Sequence, residues 1–112
     1  MNAMTIRRFG ALTVAFCAAM LIAPASRAQD GAKIFADKKC ASCHGTDGHA
    51  NVPAGKALKT RDFSLPDVMA ESDSDLETVI AKGKNKMPAY EKQLKDAEIK
   101  SLVTYVRSLG KK

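Results

Sequence analysis

Two thiols and an imidazole fall within five residues, Cys40-Ala41-Ser42-Cys43-His44, and this cluster constrains the chain more than any other feature. Thiols at i and i+3 lie on one side of a turn, so each can add to one vinyl group of the same porphyrin. The next residue, His44, then sits beneath the ring with an imidazole nitrogen for the iron. The spacing points to covalent attachment of a c-type haem. A chain anchored in this way has to fold around the group.

Other uses of the motif compete with that reading. A structural zinc site needs four ligands, typically two spaced pairs. Here there is one pair, His44 is poorly placed to share a metal with both thiolates, and His49 is the available fourth ligand. A thioredoxin-like dithiol belongs near a βαβ pattern, and no convincing strand is visible. Chance is the remaining alternative, and haem is favoured over all three.

The first 28 residues have the layout of an export signal. Arg7 and Arg8 supply a positive start, an apolar run extends from Phe9 to about Ala23, Pro24 breaks it, and Ser26-Arg27-Ala28 presents small residues to a peptidase. The run is short of the ~20 apolar residues of a membrane span, so cleavage before Gln29 is expected rather than an uncleaved anchor. Cys17 follows bulky Phe16 and makes a poor lipoprotein site. Export agrees with the haem reading, because c-type haem is attached outside the cytoplasm. The expected domains are residues 1–28 as signal peptide and 29–112 as one small domain.

A domain of that size buries too little surface to be comfortably stable alone. It has no Trp, and its aromatics are Phe35, Phe63, Tyr90 and Tyr105. A haem among aliphatic side chains would supply the missing core. Without the leader's three arginines the formal charge falls from +6 to +3. An acidic stretch (Asp67, Glu71, Asp73, Asp75, Glu77) precedes a lysine-rich one (Lys82, Lys84, Lys86, Lys92, Lys95). The moderate charge and the lack of a basic-aromatic platform argue against a nucleic-acid partner.

The local patterns predict an all-α fold. Asp30 is the candidate N-cap of a first helix over about 31–39, with Gly31 and Phe35 on one face. Residues 45–59, rich in Gly, Asn, Thr and Pro, read as loop. Ser64 and Pro66 suit a short helical turn. Ser74 and Glu77 spell a capping box for a helix that carries Leu76, Val79 and Ile80 and ends at Gly83. Asp96 is the candidate cap of the last helix, whose Ile99, Leu102, Val103, Val106 and Leu109 recur at helical spacing before Gly110. The stripe is core packing.

The iron's sixth position separates possible functions: a vacant one invites oxygen or peroxide, a filled one favours electron transfer. Met69 falls in a helical turn beside Val68 and reads as core. His49 is too near His44 in sequence to cross the ring. Met87 lies in Lys86-Met87-Pro88-Ala89-Tyr90, just after a helix end and on a loop that Pro88 stiffens. It is the candidate ligand.

With Gly31 and Phe35, the Cys40–His44 motif, the Met87-Pro88 loop, and Leu102 with Tyr105, the chain resembles the small bacterial class I cytochromes c over nearly all of residues 29–112. The resemblance implies a cytochrome c-like domain of about four short helices around one haem c held by Cys40 and Cys43. First and last helices would cross. It implies His44 and Met87 as axial ligands and a carbonyl of Pro53 accepting from His44. Lys56, Lys59 and Arg61 are candidates for the propionates.

The expected function is that of a periplasmic electron carrier, not an enzyme. Redox proteins would be its partners, generically a quinol-oxidising complex and a terminal oxidase, with no stable membrane insertion. Lys38, Lys39, Lys82, Lys84 and Lys86 could ring the haem edge and steer docking. The competing function is a haem peroxidase or gas sensor with a labile sixth ligand.

Overall fold

Apolar residues at helical spacing and well-placed breakers produce six helical segments, α1 (Ala23–Asp37), α2 (Ala41–His44), α3 (Pro53–Ala57), α4 (Pro66–Met69), α5 (Asp73–Lys82) and α6 (Asp96–Gly110). The structure is a computed structural model that describes residues 23–112, with side chains from Arg27 onward. Residues 1–22, most of the expected leader, lie outside the described residues. Among the described residues there is no strand, only an isolated bridge between Lys84 and Met87. The all-α expectation holds, with two more segments than the four expected, because several are single turns.

α1 and α6 form the frame. α6 buries Ile99, Leu102, Val103 and Leu109, and these join Phe35, Ile80 and Leu94 in one core. The two helices approach closely at Gly31, where a Cβ would lie 2.2 Å from the Ser101 carbonyl oxygen and 2.7 Å from Tyr105 Cβ. No larger residue fits between these backbones. Phe35 then meets Tyr105 edge to face, centroids 5.3 Å apart. The expected crossing of first and last helices is thus built on a glycine and two aromatics.

Four local expectations need correction. Asp30 does not cap α1, which begins by Ala23 and runs through it. Arg27, Ala28, Gln29, Ala32 and Lys33 around it are good helix formers and carry the helix through Asp30 despite Gly31. Residues 45–59 are not all loop, since α3 forms with Pro53 at its start. Gly55 lets α3 sit against the haem-motif turn, for a Cβ there would be 2.3 Å from the Cys43 carbonyl oxygen. The cap of α5 is Ser72 rather than Ser74: Ser72 Oγ accepts from the Asp75 N–H at 3.0 Å. α6 starts at Asp96 itself, with Lys95 as N-cap and Glu98 Oε1 accepting the Lys95 N–H at 2.9 Å. Asp96 and Glu98 then complement the dipole of the first turn.

Candidate haem site

α1 ends in a sharp change of direction at Lys39, which takes a positive φ of 59°. The Cys40 N–H donates to the Phe35 carbonyl at 3.0 Å and the His44 N–H to the Cys40 carbonyl at 3.0 Å. The motif is therefore wound into one turn, with Cys40, Cys43 and His44 on the wall of a single cavity of about 300 Å³. That cavity opens to solvent and is also lined by Leu58, Val68, Leu76, Val79, Tyr90 and Val106. A second, smaller pocket shares Cys40, His44, Phe63 and Met87 with it and is also lined by the core residues Phe35, Ile80, Leu102 and Val103. The walls of both are mostly apolar.

The donor chemistry suits a haem. Burial pushes the Cys40 thiol above its ordinary pKa, so a half-buried ionisable group is replaced by a neutral one when a thioether forms. Burial pulls His44 below the ordinary histidine range, which leaves a lone pair on the ring at neutral pH. His44 Nδ1 is buried with no hydrogen-bond partner. The expected bond from His44 to the Pro53 carbonyl is accordingly not formed here. An orphaned buried nitrogen beside two thiols and an apolar cleft is what a site for a metalloporphyrin leaves on the protein side.

Met87 reaches the same cavity from a different element. α5 ends at Gly83 (φ 77°), where a Cβ would be 2.6 Å from the Met87 carbonyl oxygen. Lys84 and Met87 exchange backbone bonds of 3.1 and 2.9 Å, with Asn85 at positive φ between them. Beyond Pro88, the Tyr90 and Glu91 N–H groups donate to the Ile80 and Ala81 carbonyls at 3.0 and 3.1 Å. The Met87 loop is thus tied back to α5 on both sides. Burial raises the pKa of Tyr90, whose ring also lines the cleft.

The remaining candidates separate clearly. Met69 is absent from the cavity wall and packs by Gly110, whose Cβ would lie 2.8 Å from Met69 Sδ. His49 is also outside it, held by Asp62 at 2.9 Å. Among the described residues no group of three or more His, Cys, Asp or Glu side chains could hold a metal ion, so the zinc alternative finds no site. Of the propionate candidates, Lys59 and Arg61 line the cavity and Lys56 does not. Arg61 is already committed, donating to Asp67 and, at 3.2 Å, to Glu71. Of the five steering lysines, Lys39, Lys84 and Lys86 border the cavity. Lys82 pairs with Glu91 at 2.7 Å, and Lys38 donates to Gln93 at 3.5 Å.

Sequence reasoning missed Phe63 at this site. Its ring stacks on His44, centroids 4.8 Å apart and planes 28° apart. Asp62-Phe63-Ser64 spells a side-chain-capped turn, which signals a fixed backbone but not what the ring between faces. Lys39, Lys59 and Asn85, non-glycine residues at positive φ, also line the cavity, and nothing in their identity announces it.

Comparison with known proteins agrees with the geometry. Residues 26–106 match the family described as cytochrome C oxidase, cbb3-type, subunit III. A cytochrome c6 of Synechococcus sp. is 36% identical over 98 residues, covering 86% of this chain and 84% of the relative. A cytochrome c6 of Anabaena variabilis is 42% identical, covering 73% and 88%. The cbb3-type cytochrome c oxidase subunit CcoP of Azospirillum brasilense is 33% identical over 77% of this chain, which spans only 30% of that longer relative. Among solved structures, the KustC0563 c-type cytochrome superposes with a TM-score of 0.65 at 32% identity, over 71% of this chain and 96% of that one. The chain therefore belongs to the c-type cytochromes of this family, as a small class I domain that binds haem c covalently through Cys40 and Cys43.

Proposed function

We propose that this monohaem electron carrier works in the periplasm with His44 and Met87 as axial ligands. The observation that carries the proposal is the convergence of His44, from α2, and Met87, from the loop after α5, on the one cavity that also holds both thiols. When bound, the haem supplies a one-electron iron couple, which His/Met ligation raises in potential. The chain's own residues do the rest. The Met87 loop is tied back to α5, so it would hold the thioether in one place in either oxidation state. His44 is held neutral by burial, and its Nδ1–H has the Pro53 carbonyl on the adjoining α3 as candidate acceptor once the ring is seated.

Lys39, Lys84 and Lys86 at the cavity mouth are placed to draw the cleft toward acidic docking patches. The similarity to CcoP supports an oxidase as electron acceptor, with a quinol-oxidising complex as donor. Residues 1–28 would direct export, which haem attachment requires. Peroxidase or sensor chemistry is not favoured, because His49 is held by Asp62 away from the cavity.

The test is the optical spectrum of the purified ferric protein. The weak charge-transfer band of a Met–Fe(III) bond is expected in the wild type and in Met69→Ala. It should be lost in Met87→Ala, which once reduced should bind carbon monoxide. Absence of the band from the wild type, or carbon monoxide binding by the reduced wild type, would overturn the assignment.

A further inference from the structure

α4 and α5 supply part of the cleft wall through Val68, Leu76 and Val79. Yet α4 is a single turn of four residues, too short to hold itself. Helices leave their last carbonyls without intrahelical partners. Two carbonyls at the end of α4 find theirs in α6: Arg107 Nη1 donates to the Met69 carbonyl at 3.1 Å, and Nη2 donates to the Glu71 carbonyl. The same guanidinium donates from Nε to Asp73, the first residue of α5, at 2.9 Å. One planar fork thus serves three acceptors, a shape that a lysine ammonium cannot reproduce. The Arg107 side chain is 21% exposed and that of Asp73 69%, so the grip lies in the two part-buried carbonyl bonds rather than in the ion pair. Met69 adds to it, with its Sδ only 2.8 Å from where a Cβ at Gly110 would lie.

The grip reaches Met87 through α5. The Ile80 and Ala81 carbonyls accept the Tyr90 and Glu91 N–H groups at 3.0 and 3.1 Å, and Lys82 pairs with Glu91 at 2.7 Å. α5 and the Met87 loop therefore form one piece. The core at Ile80 joins that piece to α6, and Arg107 joins it again at the start of α5.

We propose that Arg107 is a positioning residue for Met87: by holding the α4–α5 corner on α6, it keeps the piece that carries Met87 seated on the cleft and limits release of the thioether. The proposal rests on the reading of Met87 as an axial ligand. A protein whose Met87 has let go offers a vacant position to outside ligands, so their apparent affinity follows the released fraction.

The test is imidazole binding to the ferric holo-protein at neutral pH without denaturant, read as loss of the Met–Fe(III) band. It compares wild type with Arg107→Gln, Arg107→Lys, Asp73→Asn and Gly31→Ala. Arg107→Gln should bind imidazole about tenfold more tightly, equivalent to about 1.4 kcal/mol in favour of the released state. Arg107→Lys keeps the charge without the fork and should side with Arg107→Gln. Asp73→Asn removes only the exposed ion pair and should gain far less. Gly31→Ala lowers global stability at the α1–α6 contact and should keep the wild-type affinity. Wild-type affinity in Arg107→Gln, full rescue by lysine, or an equal gain in Asp73→Asn or Gly31→Ala would overturn the proposal. Should Arg107→Gln fail to accumulate, Arg107→Lys set against Gly31→Ala decides in the same way. Failure of the ligand reading would remove the band from the wild type itself, whereas failure of the latch leaves that band and shows only in the variants.

Discussion

One carboxylate oxygen of Asp62 gathers donors from Ser64 and His49, and the pH dependence of stability follows from that. The Ser64 bonds, with help from His49, hold Asp62 down to about 2 from an ordinary 3.8. The bond to Asp62 raises His49 above its ordinary 6.5. A depressed carboxylate contributes stability that is complete above 3.8 and lost as pH falls through about 2. A raised histidine contributes stability that is complete below 6.5 and lost as pH rises through its folded value. The stability difference between wild type and Asp62→Asn should therefore be widest between these limits and narrow on either side. Urea midpoints of the two proteins across pH check this. The effect is small because both groups are partly exposed. Nothing in the spacing of His49 and Asp62 announced the pair, which lies beside a backbone bond between the distant Phe63 N–H and Gly48 carbonyl.

At the scale of elements, glycine contacts and caps make separable predictions. Gly31→Ala places a methyl against the Ser101 carbonyl, so α1 and α6 must part. A loss of about 1–3 kcal/mol in denaturant stability is expected. Ser72→Ala removes the cap of α5 and should cost about 1 kcal/mol. Ser74→Ala should change stability by less than about 0.5 kcal/mol, because the Ser74 contact recorded in the structure is its backbone carbonyl, which accepts from Thr78. Thermal and urea unfolding of the two serine variants distinguishes the registers. The helices themselves were legible from apolar periodicity, and α6 and the Gly83 end of α5 appear where that pattern places them. Cap registers were not, since Ser72 with Asp75 and Ser74 with Glu77 both spell a serine three residues before an acid. The choice falls to whichever start lets Leu76 and Ile80 face the core.

For the whole molecule, the core is thin and the charges are mostly reconciled. Among the described residues the main core cluster is Phe35, Ile80, Leu94, Ile99, Leu102, Val103 and Leu109, and much of the other apolar surface lines the cleft. The chain made without haem should therefore lose most of its helical circular dichroism, and a native-like spectrum would contradict this. The acidic stretch that stands out in the sequence is largely neutralised in space. Arg61 takes Asp67 and Glu71, Arg107 takes Asp73 at 2.9 Å, and Lys100 takes Glu77 at 3.2 Å. No ion pair engages Lys39, Lys59, Lys84 or Lys86 among the described residues, and all four border the cleft. Electron transfer to an acidic partner should slow as ionic strength rises, by the screening of charges spread over a Debye length of about 8–10 Å. Stopped-flow rates against salt would show it, and a flat dependence would remove the steering role.

The sequence by itself determined the chemistry. Cys40 and Cys43 are fixed in spacing by the haem c they bind, His44 follows them as the candidate ligand, and the helical periods around them are local properties of the chain. Met87 stood out as a candidate because a proline and a preceding helix end are local signals, and its side chain lines the cavity. Only the tertiary structure decided which distant groups meet. Phe63 came to lie on His44, Arg61 and Arg107 took up the acidic stretch, and three of the five expected lysines came to border the cavity. Those contacts depend on how α1 and α6 cross and on where glycines admit close approach, and no local pattern encodes either.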